Sequence, residues 1–172
     1  RAFFDYKEGP NTTVAIADAR VYIRLASLRG KRYDVIVLDA FTGDYIPEHL
    51  MTLEFLEETA ALLTPEGVVV ANTFSSSMLY HHESQTYAKA FGKFYNFRMP
   101  STLNRVVIAT RHGYPSREAL ARRATDLQPR VRAMGVEIER YVRYLSLDVD
   151  WDTTHRHLTD QYSPANLLQE AR

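Results

Sequence analysis

The feature that most constrains the fold is a short apolar run that ends abruptly in a carboxylate. Val35 to Leu38 are four consecutive apolar residues, and Asp39 follows directly. Such a run is typical of a strand that is covered on both faces of a parallel sheet. Because ligands bind outside the carboxyl ends of strands in open α/β sheets, the sequence predicts that Asp39 faces a ligand. The alternative is that Asp39 is an acid of a turn or a helix cap.

A second acid follows a second candidate strand. Residues Thr12–Ala17 are predicted to form a strand that ends at Asp18, and a short helix is predicted from Ala19 to Leu28, closed by Gly30. Val21, Leu25 and Leu28 share one face of that helix. If the two strands are parallel neighbours, Asp18 lies near Asp39. An Asp before a helix is also an ordinary N-cap, so both interpretations of Asp18 stay open.

The rest of the chain alternates strands and helices. Thr52 is a candidate cap for a helix over 53–63, a turn is predicted at 64–67, and further elements are predicted as a strand at 68–72, a helix at about 78–94 and a hairpin of strands at 97–100 and 105–110. A helix is expected to begin at Ser116, with Pro129 interrupting it or opening a second one. This order predicts an α/β fold with a mostly parallel sheet and an antiparallel strand at its C-terminal end.

Length and composition limit the class of protein. A chain of 172 residues with 45% hydrophobic and 24% charged residues is an ordinary globular chain, large enough for one core. We predict one domain over 1–147 and a C-terminal tail over 148–172 that packs on it. No apolar run is long enough to span a membrane. The chain has no Cys, which excludes disulfides and thiolate metal sites.

The charges are unevenly distributed along the chain. From Tyr33 through Ala88 there is no Lys or Arg, and the same stretch carries nine acidic residues. From Arg98 to Arg143 there are ten Arg. One interpretation is that these charges lie on solvated helix faces. The other is that the acidic half attracts a cationic ligand, which disfavours nucleic acid near Asp39.

Several segments together resemble the spermidine synthase-like family, the polyamine aminopropyltransferases. The segments stand in the family's order and are Ala17–Arg20, Tyr33–Thr52, Leu63–Asn72 and Leu158–Leu167. The resemblance is strongest to a bacterial branch often fused to a transporter-like membrane region. It implies a Rossmann-like fold of the S-adenosylmethionine-dependent methyltransferase type and transfer of an aminopropyl group from decarboxylated S-adenosylmethionine to a polyamine such as putrescine.

The resemblance also implies roles for individual residues. Asp18 corresponds to the acid that binds the adenine amino group of the co-substrate, and Ala19 to a backbone contact beside it. Asp39 corresponds to the carboxylate that binds the attacking amine and accepts its proton. Asp44 is a candidate to hold the cationic groups of the substrate, and the alternative is that it is a turn residue beside Gly43. The implied partner is therefore a small cationic amine, the implied location is the cytoplasm, and no metal is required.

One departure from the family is the absence of a glycine-rich turn after a first strand. No G-x-G arrangement precedes Asp18, and Gly9 stands alone. That turn is where the body of the co-substrate binds in doubly wound folds. We therefore expect the chain to resemble the C-terminal part of a longer protein that lacks the N-terminal βαβ unit, to be inactive alone, and to self-associate through an open sheet edge.

Two other functions and one site are weighed against this interpretation. The chain is alternatively an S-adenosylmethionine-dependent methyltransferase, or a non-catalytic domain that retains the fold. His81, His82 and Glu83 suggest a metal site, but adjacent His residues on a helix point in different directions, so the prediction is that no metal binds there. The full-length protein is predicted either to be wholly cytoplasmic or to carry this region as the soluble domain of a membrane-anchored protein.

Overall fold

In the part of the chain that the structure describes, the fold places four helices around a five-stranded sheet. The structure is a computed structural model that describes residues 9–41 and 45–162. The strands are β1 (Tyr33–Leu38), β2 (Leu63–Phe74), β3 (Tyr95–Arg98), β4 (Asn104–Thr110) and β5 (Leu145–Ser146). The helices are α1 (Ala19–Leu28), α2 (Leu53–Ala61), α3 (Tyr80–Phe91) and α4 (Arg117–Arg132). Three 3₁₀ turns lie at Glu48–Leu50, Ile138–Arg140 and Val142–Tyr144.

The described sheet is mixed, with the strand order β1-β2-β4-β3-β5. β1 and β2 are parallel, and Leu38 pairs with Ala71. β4 is antiparallel to both β2 and β3, and β5 is antiparallel to β3. The predicted α/β class and the predicted C-terminal hairpin are confirmed. The proportion of parallel pairing is lower than expected, since β1 and β2 form the one parallel pair among these five strands.

The core lies between one face of the sheet and α1, α2 and α3. From the sheet, Val69, Ala71, Val107 and Ala109 are buried there, and from the helical layer so are Phe55, Leu56, Tyr87, Phe91 and Phe94. Burying a Leu or Phe side chain contributes about 1.5–3 kcal/mol relative to its exposed state. These residues therefore fix the position of the two strands whose ends form the site.

The opening strand, β1, is covered on one face. Ile36 and Leu38 pack against the core, whereas Val35 and Val37 are 55% and 63% exposed. The prediction that β1 is covered on both faces is wrong for the described residues. A run of four apolar residues shows that each position is hydrophobic, but it does not show whether other elements pack on one face of the strand or on both.

The predicted strand at Thr12–Ala17 is not a strand. Thr12 forms a single bridge with Gly9, and Ile16 is 99% exposed. A strand needs a hydrogen-bonded neighbour, and none of the five described strands lies beside this segment. Asp18 therefore does not reach Asp39 by the parallel pairing that the sequence suggested.

Helix α1 has the predicted bounds but turns a different face to the core. Arg20, Ile23 and Ala26 are buried, whereas the predicted stripe of Val21, Leu25 and Leu28 is exposed. The helix ends as expected, with Gly30 at φ 65°, a conformation that glycine adopts without steric cost. The face that contains Arg20 can be buried because Arg20 is paired with Glu58 and Asp160.

Two predicted interruptions of secondary structure are wrong. Thr64–Gly67 belongs to β2 and is not a turn, and Pro129 lies inside α4 without ending it. Proline removes one helical hydrogen bond, and its position in the last turn of α4 limits the loss to that end. Thr52 caps α2 as predicted, because its hydroxyl accepts a hydrogen bond from the Phe55 amide.

The C-terminal segment, residues 150–162, places Leu158 between α2 and α3. Leu158 is fully buried against Met51, Leu79 and Ile46. Its carbonyl accepts a hydrogen bond from the Leu53 amide at 2.9 Å, and its own amide donates to the Thr86 hydroxyl at 2.9 Å. This segment therefore packs against the start of α2, next to the Thr52 cap.

Candidate active site

A cavity of about 240 Å³ opens at the carboxyl ends of β1 and β2. Its walls are mainly apolar, and its polar members are Asp39, Asn72, Thr73 and Glu83. Ala19 also lines it. The structure therefore brings two of the predicted site residues, Ala19 and Asp39, to one cavity. This position at the strand ends is where ligands bind in open α/β sheets.

Asp39 is exposed at the mouth of the cavity and is held from one side. One carboxylate oxygen of Asp39 accepts a hydrogen bond from the Asn72 side-chain amide at 3.0 Å. Asn72 follows the apolar residues of β2, and Asp39 follows those of β1. The same sequence signal, a polar residue directly after an apolar run, therefore marks both positions. Asn72 was not among the predicted site residues.

Asp18 caps helix α1. One of its oxygens accepts hydrogen bonds from the Arg20 and Val21 amides, each at 3.0 Å, and the other lies 2.9 Å from Nε2 of His49. The Val21 amide and His49 lower the pKa of the Asp18 carboxyl below its ordinary value. The capping interpretation of Asp18 is therefore confirmed, and its predicted contact with an adenine ring stays a prediction. Asp44 lies outside the described residues.

Behind the cavity is a buried ion pair. Glu83 lines the cavity and contacts Arg105, whose side chain is fully buried. The Arg105 guanidinium also donates to the hydroxyls of Thr73 and Ser84 at 2.8 and 2.6 Å, and it lies over the Tyr80 ring at 4.4 Å. Burial raises the pKa of Glu83, and the charge of Arg105 opposes that shift. The sequence carries no local signal for this pair, since Arg105 stands near the start of an apolar strand and its partner Glu83 lies 22 positions away.

A second ion cluster ties the C-terminal segment to α1 and α2. Arg20 forms a bidentate pair with Asp160, at 2.6 and 2.8 Å, and it also contacts Glu58. The Thr52 hydroxyl donates to Asp160 at 2.8 Å. The hydrogen bond from Arg20 holds the pKa of Asp160 below its ordinary value. The cluster lies beside the cap of α2, next to Met51 of the cavity wall.

The electrostatic character of the cavity is acidic. Its described lining includes the carboxyl groups of Asp39 and Glu83 and contains no Lys or Arg. Arg105 neutralises Glu83 from behind, so Asp39 is the carboxylate that faces the opening without a cationic partner among the described residues. This arrangement suits a cationic or amine-bearing ligand.

A separate cleft of about 580 Å³ lies at the turn of the β3–β4 hairpin, beside Ser75 and Ser76, which follow β2. Its charged members are Arg98, Asp148 and Asp150. Asp150 accepts hydrogen bonds from Tyr80, Asn96 and Arg98 at 2.6, 2.9 and 2.9 Å. Arg98 is therefore held by an internal contact with Asp150, and it does not form a binding site by itself.

The histidines of α3 hold the C-terminal segment. His82 bonds the Arg156 carbonyl at 2.6 Å and His155 at 3.2 Å, and His81 accepts a hydrogen bond from the Asp152 amide at 2.9 Å. Within residues 9–41 and 45–162, no three His, Asp or Glu side chains are placed to share a metal ion. Across the same ranges, none of the helices has the length and apolar character that crossing a membrane requires.

The fold is similar to that of two solved structures. Human Methyltransferase-like protein 13, solved in complex with SAH, is similar with a TM-score of 0.59 and 22% identity, over 97% of this chain and 71% of that one. A probable spermidine synthase from Corynebacterium glutamicum ATCC 13032 is similar with a TM-score of 0.58 and 21% identity, over 90% of this chain and 60% of that one. The fold is therefore of the S-adenosylmethionine-dependent methyltransferase and spermidine synthase type.

The sequence is similar to named enzymes of one kind. A polyamine aminopropyltransferase of Vibrio vulnificus (strain CMCP6) is 51% identical over 168 residues, which is 97% of this chain and 56% of that protein. One from Chromobacterium violaceum (strain ATCC 12472) is 32% identical over 84% of this chain and 55% of that protein. The predicted resemblance to these enzymes is confirmed. The chain spans about half the length of both relatives, and no protein-family model matches it.

Proposed function

We propose that this chain forms the amine-binding part of an aminopropyltransferase that acts on a polyamine such as putrescine. The observation that carries the proposal is the position of Asp39. It stands at the end of β1, is oriented by Asn72, and faces a cavity whose described lining holds no Lys or Arg. The similarity to polyamine aminopropyltransferases over 97% of the chain supports the same function.

Asp39 supplies the acid–base chemistry of this proposal. An alkylammonium group titrates near pH ~10, as Lys does, so the amine must lose a proton to become a nucleophile. One oxygen of Asp39 is held by Asn72, and the other is free of described partners to orient the amine and accept its proton. General-base catalysis of this kind contributes about 10²–10⁴-fold in rate.

The co-substrate in this proposal is decarboxylated S-adenosylmethionine, which supplies an electrophilic carbon beside a sulfonium. The apolar lining of the cavity includes Ile46, Leu50 and Met51 together with Ala19, and the adenine ring is proposed to pack against these residues. Asp18 stands at the start of the same helix and would reach the adenine amino group only by exchanging its contact with His49. Asp44 is proposed to hold a second cationic group of the acceptor. The cytoplasm is the proposed location.

The proposal is tested by Asp39→Asn in the longer protein, with transfer to putrescine as the measurement. We expect a loss of about 10²-fold or more, because the amide neither accepts the proton nor attracts the cation. Asp34→Asn is the matched control, since Asp34 lies at the opposite end of β1 and bonds Thr64. Unchanged activity in Asp39→Asn would support a non-catalytic domain instead.

Two further measurements distinguish an aminopropyltransferase from a methyltransferase and test whether the chain is active alone. A thermal shift of the longer protein by decarboxylated but not by intact S-adenosylmethionine is expected, and the reverse preference would favour a methyltransferase. The 172-residue chain alone is expected to show no transfer to putrescine, since it spans about half the length of its relatives. Transfer by the isolated chain would contradict that expectation.

A further inference from the structure

The carboxylate of Asp39 is the end of a short chain of side-chain hydrogen bonds. Asn104 Nδ2 donates to Asn72 Oδ1 at 3.2 Å, and Asn72 Nδ2 donates to Asp39 Oδ1 at 3.0 Å. In the β2–β4 ladder, Asn72 pairs with Val106 and Phe74 pairs with Asn104. Because alternate residues of a strand share a face, Asn72 and Asn104 lie diagonally on one face, within reach of each other.

The direction of this chain of bonds matters because a side-chain amide has a donor end and an acceptor end. The bond from Asn104 occupies the oxygen of Asn72 and leaves its NH₂ group facing Asp39. In the reversed orientation, the Asn72 oxygen would face the Asp39 carboxylate, and two acceptors would meet without a proton between them. A donor at this point holds one carboxylate oxygen of Asp39 in place.

We propose that Asn104 is a positioning residue, which sets the orientation of the Asn72 amide and thereby keeps the Asp39 carboxylate directed into the cavity. Asn104 does not line the cavity, so it acts through Asn72. The inference rests on the proposed role of Asp39, and it adds to that role a residue, Asn104, that lies outside the segments of the family resemblance.

The neighbouring residue holds the same strand end from the other face of the sheet. Arg105 Nε donates to Thr73 Oγ1 at 2.8 Å, directly opposite in the ladder. The first two residues of β4 therefore hold Asn72 and Thr73, the last two polar residues of β2 before Phe74. This double attachment limits the freedom of the strand end that carries the donor to Asp39.

The test is the substitution Asn104→Asp in the 172-residue chain, with the Asp39 carboxyl carbon and the Asn72 Nδ2 protons followed by NMR at neutral pH. A carboxylate at position 104 accepts a bond from Asn72 Nδ2, so the amide turns its oxygen toward Asp39. We expect the Asn72 Nδ2 protons to lose their contact with Asp39, and the Asp39 carbon signal to shift by as much as it does in Asn72→Ala. Asn104→Ala, which frees the amide without adding charge, is expected to give a smaller shift.

The control separates this effect from the new charge itself. In an Asn72→Ala background the connection is absent, and Asn104→Asp then reports the through-space repulsion alone. An equal shift of the Asp39 carbon signal in both backgrounds would overturn the proposal. Backbone amide spectra establish that each variant is folded before the signals are compared.

A measurement on the unmodified chain does not depend on the folding of any variant. A scalar coupling across the hydrogen bond from Asn72 Nδ2 to the Asp39 carboxyl carbon is expected, and its absence would also overturn the proposal. Both readouts concern one carboxyl group and not catalysis. Their failure is therefore distinct from failure of the proposed transferase function, which Asp39→Asn tests.

Discussion

Arg105 and Glu83 form an ion pair in the interior, with the Arg105 side chain fully buried and that of Glu83 5% exposed. The two residues come from β4 and α3 and are 22 positions apart in the chain. All three guanidinium nitrogens donate hydrogen bonds, to Glu83, Ser84 and Thr73. A buried pair of this kind stabilises the fold only because its polar atoms are satisfied. It also joins the core to the floor of the cavity.

Removing one member of this pair is expected to destabilise the protein severely. Arg105→Met leaves the Glu83 carboxylate buried without its cation, which costs about 3–5 kcal/mol. Urea unfolding measures the loss, and Arg111→Met, at an exposed position of the same region, is the matched control. The double variant with Glu83→Leu should recover much of the loss, because it removes both charges. A double variant as unstable as Arg105→Met would show that the pair does not account for the loss.

The Arg20–Asp160 pair is expected to make stability depend on acid pH. The pKa of Asp160 is below its ordinary value of 3.8, so the folded state favours the ionised form. Its contribution is fully present above that value and is lost as pH falls through the lower, folded-state pKa. Unfolding by urea between about pH 5 and pH 2.5 should therefore show a shallower acid loss for Asp160→Asn than for the wild type. Asp126→Asn, on the exposed side of α4, should keep the wild-type slope. Identical slopes for all three proteins would contradict the assignment.

Gly67 is expected to be intolerant of a side chain. A Cβ at this position would lie 2.9 Å from the Tyr33 carbonyl oxygen and 3.0 Å from the Thr64 carbonyl oxygen. Both neighbours are backbone atoms of β1 and β2, so relief requires a shift of the strands. Gly67→Ala should lower the free energy of unfolding by about 1–3 kcal/mol. Gly9→Ala, where a Cβ meets nothing within 4 Å, should leave it unchanged. A neutral Gly67→Ala would mean that the two strands separate more easily than their packing implies.

The exposed face of β1 is expected to promote self-association of the chain. Val35 and Val37 are adjacent on that face, and the described sheet gives β1 one neighbour. Exposed apolar sheet edges pair with other chains. Val37→Lys should therefore shift sedimentation toward monomer, whereas Val21→Lys, on the exposed face of α1, should have less effect. A wild-type chain that sediments strictly as a monomer at high concentration would contradict the prediction.

The position of Asp39 was predictable because its signal is local. An apolar run followed by an acid marks the end of a strand, and the end of a strand in this class of fold marks the ligand site. The same signal at Asn72 was available in Val68–Asn72. Thr52 at the start of α2 was also predictable, since its role depends on a contact three residues away.

The remaining features depend on contacts that are distant in sequence. Whether Val37 is covered depends on what packs against β1, and its own residue type does not decide this. Arg20 is buried because Glu58 and Asp160 reach it from elsewhere in the chain, and no periodicity of α1 predicts that. The exposed stripe of Val21, Leu25 and Leu28 shows the same limit, because helical spacing groups residues on a face without telling which face meets the core.

The insertion of Leu158 between α2 and α3 has a consequence for the order in which the molecule is completed. Arg20 and Asp160 are 140 positions apart, so the contact that fastens the start of α1 forms only after the segment around Asp160 has left the ribosome. Contacts of such long sequence separation form late and slow the folding of a domain. The wall beside Met51 is therefore incomplete until that segment emerges, and a nascent chain stopped near residue 150 lacks both Leu158 and the partner of Arg20.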